Sequence, residues 1–329
     1  MTKTISLVGS FNLADGYLGA AEALRRKGHT VHFIPAAQYY FENANAKEKA
    51  TFLIQKDIDQ QKAEIVLWWR AEHLSAEELE KIKNKGLARF FLYSWDDPLQ
   101  WELHTEMPQK CKILDAAFSC CMDSVSSYRN SGCQAFYCPP GFDPSIHYPE
   151  ESEEHVCDIS IVCTSLYHGN SITKVKHVSR KLLIDWIIKD LPGINLKIYG
   201  LEELKEIYPK QYAGWIPFDE SRKVFHNSKI NISTHIRPDG YLYINERVTQ
   251  VLGSKGLLFV DKVRGIEEIL EHSEEHPTAV FMDWKSLPDQ INDILSNKEK
   301  YDDIRERGYQ KALRSFTWDN WAETVCAQI

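Results

Sequence analysis

Short apolar runs alternate with longer segments in which apolar residues recur at helical spacing. In the first half the runs Thr4 to Gly9, His29 to Pro35, Glu64 to Trp69, Ala88 to Ser94, Ala116 to Cys121 and Gln134 to Cys138 are predicted strands. Between them Leu13 to Lys27, Lys47 to Lys62, Ala76 to Lys85 and Ser124 to Ser131 have helical composition, and Gly28 follows the first as a C-cap would. This alternation predicts a parallel sheet covered by helices.

Pro139-Pro140-Gly141-Phe142-Asp143-Pro144 then interrupts regular structure, and the acidic stretch Glu150-Glu151-Ser152-Glu153-Glu154 is too charged for a core. A second alternation starts with a strand at Cys157 to Cys163, a helix at Thr173 to Lys189 and a strand at Leu196 to Tyr199. It continues through strands at Lys229 to His235, Gly256 to Asp261 and Thr278 to Met282, and closes with helices at Leu287 to Leu295, Tyr301 to Phe316 and Asp319 to Ala327. The expected organisation is an α/β protein of two tandem Rossmann-like, doubly wound domains facing a cleft. Residues 1–140 form the first domain, 141–156 a linker and 157–329 the second domain with the terminal helices.

The length of 329 residues suits two domains, and 43% hydrophobic with 26% charged residues is ordinary for a globular protein. A net charge of -8 argues against a nucleic-acid partner, which requires clustered Lys and Arg. No signal segment or membrane-length apolar run is present, so a cytoplasmic location is expected. The eight cysteines form no Cys-x-x-Cys pair and no zinc spacing with His, and they read as buried reduced thiols. Asn231-Ile232-Ser233 fits a glycosylation pattern but falls in a predicted buried strand, which makes it a chance match.

The densest chemistry lies where the predicted strand ending at His235 runs through Arg237-Pro238-Asp239-Gly240-Tyr241 into a helix opened by Asn245-Glu246-Arg247. A loop from a strand's carboxyl end to a helix's amino end presents free N–H groups and a positive dipole end, which favours an anion. A cation in a first helical turn is unfavourable for the helix alone, so Arg247 is better explained by an anion nearby; an ion pair with Glu246 or Asp239 is the alternative. Arg237 is a second candidate cation, and Lys174 and Lys176 could add charge. Asn245 suits a helix N-cap as well as a hydrogen bond to a sugar or ribose, and Glu246 offers a carboxylate there. Tyr241 and Tyr243 could pack against a sugar, and Trp215 could stack on a base or sit in the core.

In the first half, Asp96-Asp97-Pro98 follows a strand and offers a carboxylate that could take a proton from an acceptor hydroxyl, Asp97 being slightly favoured; a capped Asp-Pro turn is the alternative. The pair lacks the spacing of a metal-binding Asp-x-Asp element, so no metal site is assigned. His73, in Arg70-Ala71-Glu72-His73, is an alternative base. Ser10, Asn12 and Arg70 follow strands on the acceptor side, and Gly9-Ser10-Phe11-Asn12 does not match the dinucleotide fingerprint Gly-x-Gly-x-x-Gly.

Four segments together resemble the group 1 glycosyltransferases, specifically the CgeB-type, spore-maturation-protein-like branch. They are Tyr93-Ser94-Trp95-Asp96-Asp97-Pro98, then Pro140-Gly141-Phe142-Asp143-Pro144 with Tyr148-Pro149, then Asn245-Glu246-Arg247, and the closing succession from Leu287 through Arg305 to Trp318. The resemblance implies a GT-B fold, a nucleotide-sugar donor in the C-terminal domain, an acceptor in the N-terminal domain and no metal requirement. It implies no cofactor beyond the nucleotide-sugar co-substrate, UDP- or GDP-linked. One departure concerns the glutamate pair of related enzymes, where this chain has Leu242 and Gln250. Gln250 could still hydrogen-bond a hydroxyl but brings no charge. The expected activity is transfer of a sugar from a nucleotide diphosphate to a hydroxyl of a glycan or small-molecule acceptor. A nucleotide-sugar epimerase or hydrolase and a non-catalytic nucleotide-sugar binding protein are the alternatives.

Overall fold

The run Ile65-Val66-Leu67-Trp68-Trp69 contains no polar alternation, and such a strand needs cover on both faces. In the computed structural model, which describes residues 1–11, 16–43, 46–70, 74–94, 106–164, 166, 180–235 and 238–329, this run is one strand with all five side chains buried. Val66 and Trp68 pack into one apolar cluster with Phe90 and Leu92, while Ile65, Leu67 and Trp69 pack into another with Phe91 and Tyr93.

The chain divides into two compact units, Met1–Gly141 with Trp318–Ile329 and Phe142–Thr317. The first contains strands β1 (Thr4–Gly9), β2 (Thr30–Ile34), β3 (Ile65–Trp69), β4 (Arg89–Ser94), β5 (Ala116–Ser119) and β6 (Gln134–Tyr137). Its helices are α1 (Tyr17–Arg26), α2 (Ala36–Glu42), α3 (Lys47–Gln61), α4 (Ala76–Lys83), α5 (Met107–Cys111) and α6 (Met122–Asn130). The strands are ordered β2-β1-β3-β4-β5-β6 and all pairs are parallel. Six strands emerge where the sequence predicts them. The short helices α2 and α5 escape the sequence pattern, because seven and five residues are too few to display a helical period.

The second unit contains β7 (Cys157–Cys163), α7 (Arg180–Asp190), β8 (Leu196–Gly200), α8 (Glu203–Ile207), β9 (Tyr212–Gly214), α9 (Ser221–Asn227) and β10 (Ser228–Ser233). It continues with α10 (Glu246–Gly253), β11 (Leu258–Val260), α11 (Ile266–Leu270), β12 (Val280–Phe281), α12 (Leu287–Ser296) and α13 (Lys298–Ser315). The sheet order is β12-β11-β10-β7-β8-β9, again parallel throughout. The order reverses between β7 and β10, and in open α/β sheets that point opens a crevice at the carboxyl ends of the strands.

Two boundaries differ from the sequence expectation. The last helix, α14 (Trp318–Cys326), belongs to the first unit, where Trp318, Trp321, Ala322 and Val325 share a core with Ala20 and Leu24 of α1. Gly19 permits that approach, since a Cβ there would collide with the Trp318 indole. An apolar stripe says that a helix is covered and not which sheet covers it. The expected linker 141–156 is likewise not free-standing beyond Gly141. Phe142 N donates to Phe316 O at 2.8 Å, and Arg222 pairs with Glu150, tying the segment to the second unit.

All eight cysteines are free, seven buried and Cys326 half-buried. Asn231 is 1% exposed, and its side chain bonds Ser160, Phe225 and Leu257, so a sugar could not be attached there in the folded chain. No helix among the described residues is long and apolar enough to cross a membrane.

Candidate functional site

The carboxyl ends of β7, β10 and β11 converge on the start of α10. Asn245 is its N-cap: Oδ1 accepts from Val248 N at 3.2 Å, while Nδ2 donates to Thr234 O at 3.1 Å. The same side chain therefore caps the helix and ties it to the end of β10. Its expected capping role is met.

Arg247 follows in the first turn and is half-buried. Arg180, the first residue of α7, donates from Nε to Thr234 Oγ1 at 3.1 Å. Burial, and then the neighbouring Arg180 guanidinium, bring Arg247 down to about 10; burial also lowers Arg180. Cys163, the last residue of β7, lies close enough to influence both. Among the described residues no carboxylate forms an ion pair with Arg247. Arg247 thus stands in the first turn of a helix beside a second guanidinium, an arrangement that an anion relieves.

Beside them, His235 and Asp261 form a buried pair. Asp261 Oδ1 accepts from His235 Nδ1 at 2.7 Å, and the His235 backbone N–H donates to both carboxylate oxygens at 3.1 and 3.0 Å. Tyr243 is fully buried, its ring edge-on to the His235 imidazole at 5.4 Å. Tyr243 is therefore a core support of His235 in this structure rather than an open sugar platform.

Glu246 opens α10 and is half-buried, and Gln250 lies one turn further on at 8% exposure. Tyr241 turns toward α11, where its hydroxyl donates to Glu268 at 3.2 Å and Arg264 lies over its ring. Trp215 stands apart after β9, 52% exposed, following Gly214 at φ 101°. In the first unit, Ser10 directly follows β1 and Arg70 directly follows β3, Arg70 with a left-handed backbone at φ 77°. Their strands are neighbours at that sheet's own order reversal. Asp96, Asp97, His73, Asn12, Arg237, Lys174 and Lys176 lie outside the described residues.

Arg180, His235 and Asp261 are the members that sequence reasoning missed. The signals were faint: a basic residue inside a helical stretch, and polar residues closing two apolar runs. Only strand adjacency brings them together.

Residues 179–327, fewer than half of the chain, match the family model described as Glycosyl transferase-like. No curated protein matches the chain in sequence. Among solved structures, sucrose-phosphate synthase from Thermosynechococcus elongatus superposes with a TM-score of 0.71 at 12% identity, over 99% of this chain and 98% of that one. Anabaena HepE in complex with UDP-glucose gives 0.69 at 10% identity, over 99% and 100%. A glycosyltransferase from Rickettsia africae ESF-5 gives 0.68 at 12% identity, over 99% and 97%. The architecture is that of these GT-B glycosyltransferase structures.

Proposed function

We propose that this protein is a glycosyltransferase that moves a sugar from a nucleotide diphosphate to a hydroxyl of a glycan or small-molecule acceptor. The observation that carries the reading is the Arg180 and Arg247 pair at the amino end of α10, two partly buried cations at the order reversal of the second sheet. A nucleoside diphosphate supplies the negative charge that Arg247 lacks. As the bond from sugar to phosphate breaks, charge accumulates on the leaving diphosphate, and fixed guanidiniums and helix N–H groups stabilise it there. The glycosyl transferase-like match over residues 179–327 supports the same assignment. HepE has been solved with UDP and with UDP-glucose, which makes UDP-linked sugars the first donors to test and GDP-linked ones the second.

In this reading the acceptor is held by the first unit, with Ser10 and Arg70 on its strand ends and Asp97, Asp96 or His73 as the base that receives the hydroxyl proton. Such a base contributes on the order of 10² to 10⁴ in rate. Fixed cations supply the charge neutralisation that a divalent metal provides in other transferases, so turnover should persist in excess chelator. Within that class, the four segments that resemble the CgeB-type branch favour it as the subgroup. The deciding experiment incubates the protein with a nucleotide-sugar panel and measures free nucleoside diphosphate. No release with any donor, with and without candidate acceptors, would overturn the reading. Product analysis separates transfer from hydrolysis and epimerisation.

A further inference from the structure

His235 is one residue beyond Thr234 at the carboxyl end of β10, and its side chain is 0% exposed. A carboxylate only accepts hydrogen bonds, so Asp261 fixes the proton of the neutral imidazole on Nδ1 and leaves a lone pair on Nε2. Nε2 is buried and has no hydrogen-bond partner among the described residues. A buried acceptor without a partner is costly, and Asp261 takes three hydrogen bonds from this one residue to hold the ring in place. That is a heavily determined orientation for an atom with nothing to bond. Phosphate oxygens cannot satisfy that lone pair, since they too only accept. The complementary group is an O–H donor.

We propose that His235 Nε2 accepts a hydrogen bond from a hydroxyl of the bound nucleotide-sugar, with Asp261 as the residue that positions it. The inference rests on reading the second unit as the donor site. Two parts of a donor carry such hydroxyls, the ribose and the transferred sugar. Trapped water is the other way to satisfy Nε2, and binding measurements separate it from both.

The test titrates the full-length protein calorimetrically with UDP, GDP, UDP-glucose and GDP-glucose, as wild type and as His235→Asn. The asparagine amide reaches Asp261 in place of Nδ1 but has nothing at the Nε2 position. The expected result is roughly tenfold weaker binding of the glucose-linked donor at an unchanged melting temperature. If the nucleotide alone weakens equally, the hydroxyl is on the ribose; if it does not, the hydroxyl is on the transferred sugar. His235→Phe, which keeps a ring against Tyr243, serves under the same criterion if His235→Asn does not fold. Asp261→Asn can donate to Nδ1 and so shift the ring proton to Nε2; it should weaken the same ligand, and combining it with His235→Asn should add nothing further. Unchanged affinity for every ligand in folded His235 variants overturns the contact while leaving the donor site standing. If the wild type binds none of the four, the donor-site reading itself falls.

Discussion

The two ends of α10 treat a buried guanidinium in opposite ways. Just past its carboxyl end, Arg305 of α13 donates to the carbonyls of Lys255 and His226, with Asp302 at 3.7 Å. The His226 carbonyl lies in the last turn of α9 and the Lys255 carbonyl just past the Ser254 cap of α10, where a cation is electrostatically favoured. At the amino end, Arg247 sits against the helix dipole and beside Arg180, with no carboxylate partner among the described residues. Burial lowers both arginines. One is satisfied by the fold, and the other is left for something the fold does not supply. A buried charge marks a site only when its local partners fail to account for it.

The contrast is tested most severely at Arg305. Arg305→Met leaves two carbonyls without their donor and should cost about 3 kcal/mol of stability, read by denaturant unfolding, with donor affinity unchanged in the folded fraction. Arg247→Ala should do the reverse. Donor binding falls by about 2 kcal/mol, roughly thirtyfold by calorimetry, while stability stays level or rises as the repulsion with Arg180 is removed. A stability loss in Arg247→Ala comparable to that in Arg305→Met would erase the distinction.

His147 shows a third response to burial in the same unit. It is 1% exposed, its Nε2 lies 3.3 Å from Ser221 Oγ, and burial lowers it to about 3. Unlike arginine, histidine can shed its charge. A group lowered in the folded state is protonated first in the unfolded chain, so its contribution is present above about pH 6.5 and is lost as pH falls toward 3. Between pH 7 and pH 5 the wild type should lose roughly 2 kcal/mol more than His147→Gln does, measured by urea unfolding at each pH. Equal losses would show that His147 does not carry this pH dependence. The smallest effect belongs to the N-cap. Asn245→Ala should cost about 1 kcal/mol through the lost bond to Val248 N, and donor affinity should weaken as the helix start loosens from Thr234. A loss of affinity without loss of stability would make Asn245 a ligand contact rather than a cap.

The sequence by itself determined the two parallel sheets. Runs such as Ile65 to Trp69 and Cys157 to Cys163 have to be buried on both faces, and the intervening helical stretches are what can cover them. It also placed Asn245 and Arg247 at a helix start, because caps and dipoles act over neighbouring residues along one element. Tertiary structure alone decided that α14 closes the first unit, since an apolar stripe fits more than one partner. It alone brought Arg180, His235 and Asp261 together with Arg247, for they lie on separate elements joined only by the order of β7, β10 and β11. Local chemistry is written along the chain, whereas a site assembled across strand ends depends on which strands become neighbours.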